Sequence, residues 1–264
     1  MSHASEPVFS RETINGRHSR RVRSCRHGVG RDVAAAPGRV LVNGRPSELL
    51  LRLGHWISPS VDRKRRLVGL RPAASSVFRS LTFEKLLSLV SSQPAAELVD
   101  LGPVIGSNIT FLGERFGCKI HVADLYADLD RHAEQGLLAR FPDFLRKRFA
   151  PPDESIDAVL CWDVFDYLDQ AAKNVLAREL MRMLRPRGAL LAFFGTSGPR
   201  DMRYTKYVIE DDRHLRCYVY AGACSRRQVL ANRDIMKLFT RLRLFDSVVL
   251  KSGVREVLLR KPKN

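Results

Sequence analysis

Two carboxylates and a loop between them are the residues of this chain best placed to hold a reactive ligand. The run Leu98-Val99-Asp100-Leu101-Gly102-Pro103-Val104-Ile105-Gly106-Ser107-Asn108 sets an acid two residues before the first glycine of a tight strand-to-helix turn. A dinucleotide fold brings a pyrophosphate onto a helix N-terminus and uses three closely spaced glycines. Here the spacing is Gly-x-x-x-Gly and an anion precedes the loop, an arrangement that opposes a diphosphate and suits a cation. Asp124 closes the next apolar run 18 residues past Gly106, where it can accept hydrogen bonds from ribose hydroxyls. S-adenosylmethionine combines a positive sulfonium and amino group with a ribose, so one ligand answers to both acids.

Those residues need strands and helices to position them. Apolar runs at 96–101, 119–123, 156–161 and 189–194 read as strands, and helical periodicity at 107–116, 130–139 and 171–184 reads as the intervening helices. Such alternation argues for a parallel sheet covered by helices on both faces. A preceding helix starts after Ser80, which can cap it, with Phe83, Leu86, Leu87 and Val90 facing inward. Residues 204–209 and 215–220 flank the polar turn Glu210-Asp211-Asp212-Arg213 and read as a hairpin, followed by a helix from 226 or 232 to about 241. Residues 245–251 and 255–260, separated by Ser252-Gly253, read as a closing antiparallel pair.

Together these segments resemble a class I S-adenosylmethionine-dependent methyltransferase. Asp100-Leu101-Gly102-x-x-x-Gly106 resembles the family's first motif, Asp124 its second-strand acid, and the stretch from Pro151 through Ile156-Asp157-Ala158-Val159-Leu160-Cys161-Trp162-Asp163-Val164 its fourth-strand segment. The run Leu184-Arg185-Pro186-Arg187-Gly188-Ala189 resembles its Pro-x-Gly turn before the fifth strand. The resemblance extends from about residue 82 to the C-terminus. It implies a three-layer, Rossmann-like α/β fold whose seven-stranded, mostly parallel sheet has a reversed last strand. It further implies cofactor contacts at Asp100, Gly102, Val104, Gly106, Asn108, Asp124, Leu125 and Trp162, with Asp143 as the nearest candidate for the adenine-side acid. The loop after the fourth strand lines the methyl in the family, which makes Asp163, Asp166 and Tyr167 the candidate catalytic residues, with either acid a candidate proton acceptor. Val104 departs from the family pattern, since it stands where the middle glycine of Gly-x-Gly-x-Gly allows close backbone approach.

Composition narrows the partners. The 264 residues are 45% hydrophobic and 28% charged, enough for one sizeable domain with an extension. The longest apolar run, 189–194, is far short of a membrane span, and no secretory signal is read at the N-terminus, so cytoplasmic residence is expected. The five cysteines show no CxxC or zinc spacing and are expected to be free thiols, with no metal site. The net charge is +17, and residues 1–66 hold 14 Lys and Arg against 5 Asp and Glu. That excess leaves nucleic acid open as a partner through Arg20, Arg21, Arg23, Arg26 and the run Arg63-Lys64-Arg65-Arg66, although 35 of the 45 cations are Arg, which codon bias also produces. Residues 1–45, poor in large apolar side chains, are expected to be a disordered basic extension, residues 46–80 a lead-in, and residues 81–264 the methyltransferase-like domain with an insertion at 196–232. The insertion carries Tyr204, Tyr207, Tyr218 and Tyr220 among several cations; a lid over the site, a sheet-edge packing element and a dimer contact are alternative readings of it. The leading functional expectation is methyl transfer to a small molecule. The alternative is an inactive scaffold that binds nucleic acid or an anionic surface.

Overall fold

The computed structural model describes residues 75–149, 151–197, 202–226 and 228–263. The expected basic extension at 1–45, and the lead-in up to 74, lie outside the described residues.

The alternating pattern folds into a six-stranded sheet with helices on both faces. In chain order the elements are β1 (Ser76–Arg79), α1 (Leu81–Ser91), β2 (Glu97–Asp100), α2 (Gly106–Phe116), β3 (Lys119–Val122), α3 (Leu125–Glu134), α4 (Phe141–Arg148), β4 (Ile156–Trp162), α5 (Gln170–Met183), β5 (Leu184–Gly195), β6 (Arg203–Ile209), β7 (His214–Ala221), α6 (Asn232–Leu238), β8 (Arg243–Val249) and β9 (Val254–Arg260). The main sheet has the order β3-β2-β4-β5-β9-β8. β2, β3, β4 and β5 run parallel, while β9 is antiparallel to both β5 and β8. A second sheet, β1-β7-β6, is antiparallel, so Ser76–Arg79 joins the hairpin of the insertion.

Strand periodicity sorts the core into two layers. Val159 and Cys161 of β4 and Leu190, Ala192 and Phe194 of β5 pack with Leu129, Leu145, Leu176, Leu180 and Ile235 from α3 to α6. Ala158, Leu160 and Trp162, with Ala189, Leu191 and Phe193, pack on the other face with Phe83, Leu86, Ile109 and Leu112 from α1 and α2. The Ser80 hydroxyl accepts from Phe83 N and caps α1.

Three expectations are corrected. The main sheet has six strands among the described residues, where the resemblance implies seven, because the chain between α3 and β4 is taken up by a helical turn at Leu138–Arg140 and by α4. The helix expected at 130–139 begins at Leu125, since the Asp124 side chain accepts from Ala127 N and caps it directly after β3. β5 starts at Leu184, pairing with Ile156 before a register shift, so the Pro-x-Gly segment lies inside the strand.

Candidate functional site

The parallel strands β2, β3 and β4 end side by side, and their ends are stitched together. Ala123 N donates to Asp100 O at 2.8 Å, Leu125 N to Leu101 O at 3.0 Å, and Leu101 N to Leu160 O at 2.9 Å. This places Asp100 and Asp124 at adjacent strand ends, with the Gly102 to Gly106 loop leaving between them. Asp100 is 3% exposed, and its Oδ1 accepts from Gly102 N at 2.8 Å and from Trp162 Nε1 at 2.7 Å. Burial outweighs those two bonds and raises its carboxyl to about 6. Asp124 is half-buried at φ 21°, a strained turn from strand into helix. α2 begins at Gly106 with no side-chain cap, so its first amides face outward beside exposed Gly106 and Ser107.

The loop is open at one end and filled at the other. A Cβ on Gly106 would have nothing within 4 Å, and Val104, the residue in place of the middle glycine, is 48% exposed. A Cβ on Gly102 would lie 2.7 Å from the indole of Trp162. The missing side chain of Gly102 therefore admits the ring of Trp162, whose own φ of 50° turns it back over the loop. Tyr207 of β6 stacks on that indole at 5.2 Å with ring planes 8° apart. Asn108 holds the hairpin there: its Nδ2 donates to Tyr207 O at 2.9 Å and its Oδ1 accepts from Ile209 N at 2.8 Å. Asn108, expected at the cofactor, is a buried clamp on β6.

Behind the indole lies a buried polar cluster. Asp163 accepts from Tyr126 OH at 2.6 Å, Tyr167 OH at 3.3 Å and Arg226 Nη2 at 2.8 Å. Asp166 Oδ2 accepts from Gly195 N at 2.8 Å and lies 3.7 Å from Arg226 Nε, while its Oδ1 is buried with no hydrogen-bond partner. Burial, reinforced by the neighbouring Asp163 charge, raises Asp166 to about 7 in spite of Arg226. Burial and the same charge push the Tyr167 phenol well up, so it stays a neutral donor. The Tyr204 ring closes the cluster, packed edge-on against Tyr126 at 5.2 Å and Tyr167 at 4.8 Å, with its hydroxyl accepting from Cys224 N.

The strand ends thus bring together Asp100, Gly102, Asp124, Trp162, Asp163, Asp166 and Tyr167. Leu125 is fully buried in the core at the start of α3. Asp143 projects from α4 with a side chain 70% exposed and pairs with Arg146 in the same helix. Arg226 and Tyr126 were missed by sequence reasoning. Arg226 sits among many arginines and is drawn to the cluster only by the path of the chain after β7; Tyr126 lies two residues past the capping acid, which was a usable signal. Cys161 is buried and its thiol is pushed well up, so it is inert packing. Among the described residues no group of His, Cys, Asp or Glu is arranged to hold a metal, and no helix is long and apolar enough to cross a membrane.

A family model described as a methyltransferase domain matches residues 99–192, the stretch from the first acid through β5. Residues 99–192 carry a methyltransferase domain. The chain shares 24% identity over 114 residues with a phosphoethanolamine N-methyltransferase of Plasmodium falciparum, a match covering 41% of this chain and 42% of that protein. The chain therefore matches less than half the length of this curated relative. Similar solved structures include a methyltransferase from Methanosarcina mazei, at 14% identity and a TM-score of 0.42 over 65% of this chain and 95% of that one. Another is the 1,6-didemethyltoxoflavin-N1-methyltransferase of Burkholderia thailandensis, at 13% identity and a TM-score of 0.41 over 87% of this chain and all of that one.

S-adenosylmethionine is the cofactor of such a domain, and the donor set suits it. Asp124 and the uncapped α2 amides would offer hydrogen-bond partners to a ribose and its neighbouring polar atoms, and the Asp100 carboxylate would offer a counter-charge to a cation. Access is unequal, however. The Asp124 and Gly106 side is open, whereas Trp162 and Tyr207 cover Asp100 and Gly102.

Proposed function

We propose that this protein transfers the methyl group of S-adenosylmethionine to a small-molecule acceptor, and that the β6–β7 hairpin is the lid of the site. The observation that carries the reading is the pair of acids, Asp100 and Asp124, at neighbouring strand ends on either side of the glycine loop. The cofactor supplies an electrophilic methyl; the chain must orient the acceptor and take its proton. Asp166 suits the second task. It titrates near neutrality, has an oxygen without a partner, and lies beside the end of β5. Asp163 then acts as a positioning residue that ties Tyr126, Tyr167 and Arg226 into one unit. The local similarity to a phosphoethanolamine methyltransferase supports a small acceptor.

The lid reading is supported by the Asn108 clamp and by the Trp162–Tyr207 stack above the glycine loop. Removing residues 204–220 would be an unsuitable test, because Tyr204, Tyr207, Ile209 and Leu215 are buried in the core. Calorimetric titration of the full chain with S-adenosylmethionine, beside Asp124→Ala and Asn108→Ala, tests both ideas. Micromolar binding lost in the first variant and faster or tighter in the second supports them. The indole seated on Gly102 also favours a second reading, an inactive scaffold; no binding by folded wild type and by Asn108→Ala would establish it.

A further inference from the structure

At the opposite end of the sheet, a cleft of about 480 Å³ is lined by Arg187, Arg243, Arg260, Lys261, Lys263 and Phe245 among others. Its lining residue Arg260 pairs with Ala189 of β5, six residues and about 20 Å along that strand from Gly195 at about 3.3 Å per residue. No acid lines it. Arg243 and Arg260 are directly paired across β8 and β9, an arrangement of like charges that destabilises a sheet unless an anion lies between them. Among the described residues, neither these two nor Arg187 nor Lys263 pairs with a carboxylate, whereas Lys261 is tied to Glu154, Met181 O and Leu184 O.

The cleft is built rather than incidental. Arg187 adopts φ 67°, its N donates to Lys261 O, and its carbonyl accepts from Arg260 Nε at 3.1 Å. The register shift between Leu244 and Asp246 makes Phe245 the extra residue of a β-bulge, the device that re-aims a side chain. Phe245 is 47% exposed, with the Arg260 guanidinium 5.6 Å from its ring centroid.

We propose that this cleft binds one nucleotide unit of a single-stranded nucleic acid, with the base against Phe245 and flanking phosphates on Arg187, Arg243 and Lys263. An exposed aromatic ring among unpaired cations supplies the stacking and backbone neutralisation that such strands require. The volume admits about one base with its sugar. The site is separate from the strand ends that hold the methyltransferase residues, and the proposal stands independently of that reaction. It also differs from the basic stretch at 1–66 as a source of affinity.

The test is fluorescence anisotropy of the full-length protein with a labelled 12-nucleotide single-stranded RNA across a salt series. Arg187→Glu/Arg243→Glu is expected to weaken binding tenfold or more and to lower the salt slope by about 1.4, at about 0.7 per phosphate contact. Phe245→Ala should weaken it about fivefold or more with the slope unchanged. Lys263→Glu gives an independent reading if the double substitution disturbs β8, and Arg178→Glu, an exposed cation on α5, is the charge control. Wild-type affinity in the double variant and in Lys263→Glu overturns the proposal, as does equal loss in Arg178→Glu. So does stronger competition by polyglutamate than by unlabelled RNA, which would identify an acidic peptide, or by uridine monophosphate at equal nucleotide concentration, which would identify a free nucleotide.

Discussion

Replacing Asp100 with Asn separates what this carboxylate does for stability from what it does for ligand binding. Both bonds to its side chain end on Oδ1, donated by Gly102 N and Trp162 Nε1, so an amide oxygen can accept them equally. What changes is the titration. Burial raises the folded-state value from 3.8 to about 6, so the fold prefers the protonated acid. Stability from this group is therefore full below about 4 and is lost as pH rises through 6. Two units at 1.36 kcal/mol each make a penalty of about 3 kcal/mol at pH 8, against about 0.5 kcal/mol at pH 4. Urea denaturation of both proteins should show Asp100→Asn gaining about 2.5 kcal/mol relative to wild type between those pH values, whatever fixed cost the amide hydrogens impose. The same variant should bind S-adenosylmethionine more weakly, because the anion facing the cation is gone. A stability difference that stays flat from pH 4 to pH 8 would refute the burial argument; unchanged affinity would assign Asp100 a purely structural role.

Other substitutions test the neighbouring contacts. Asn108→Ala leaves Tyr207 O and Ile209 N buried without partners, which should cost about 2–4 kcal/mol in urea denaturation and raise amide exchange at residues 207–209. Arg226→Met strips the cation from Asp163 and Asp166 and should cost about 3–5 kcal/mol at pH 8. The loss should shrink below pH 7, where Asp166, already raised to about 7, takes up a proton; a denaturation series from pH 5 to pH 8 reads the trend. Gly102→Ala drives a methyl against the indole and should cost about 1–3 kcal/mol with a shift in tryptophan emission, whereas Gly106→Ala, with open space around it, should stay within about 0.5 kcal/mol of wild type.

Local pattern was enough to identify the alternating α/β core, the acid-preceded glycine loop and the second acid at the end of β3, because period-two and helical periodicities and loop spacing are properties of neighbouring residues. The same locality explains the misplaced start of α3: Asp124 was read only as a ligand acid, and its capping bond to Ala127 N depends on a turn that spacing does not reveal. Other decisions belonged to the tertiary structure alone. Asn108 meets β6 across about a hundred residues, Trp162 meets Asp100 across 62, and Arg226 meets Asp163 across 63, so no window of sequence contains both partners. The environment of each acid was settled in the same way. Whether a carboxylate is solvated or desolvated depends on which distant surfaces close over it, and here the hairpin and its tyrosines bury Asp163 and Asp166 and lay Tyr207 over the indole bonded to Asp100.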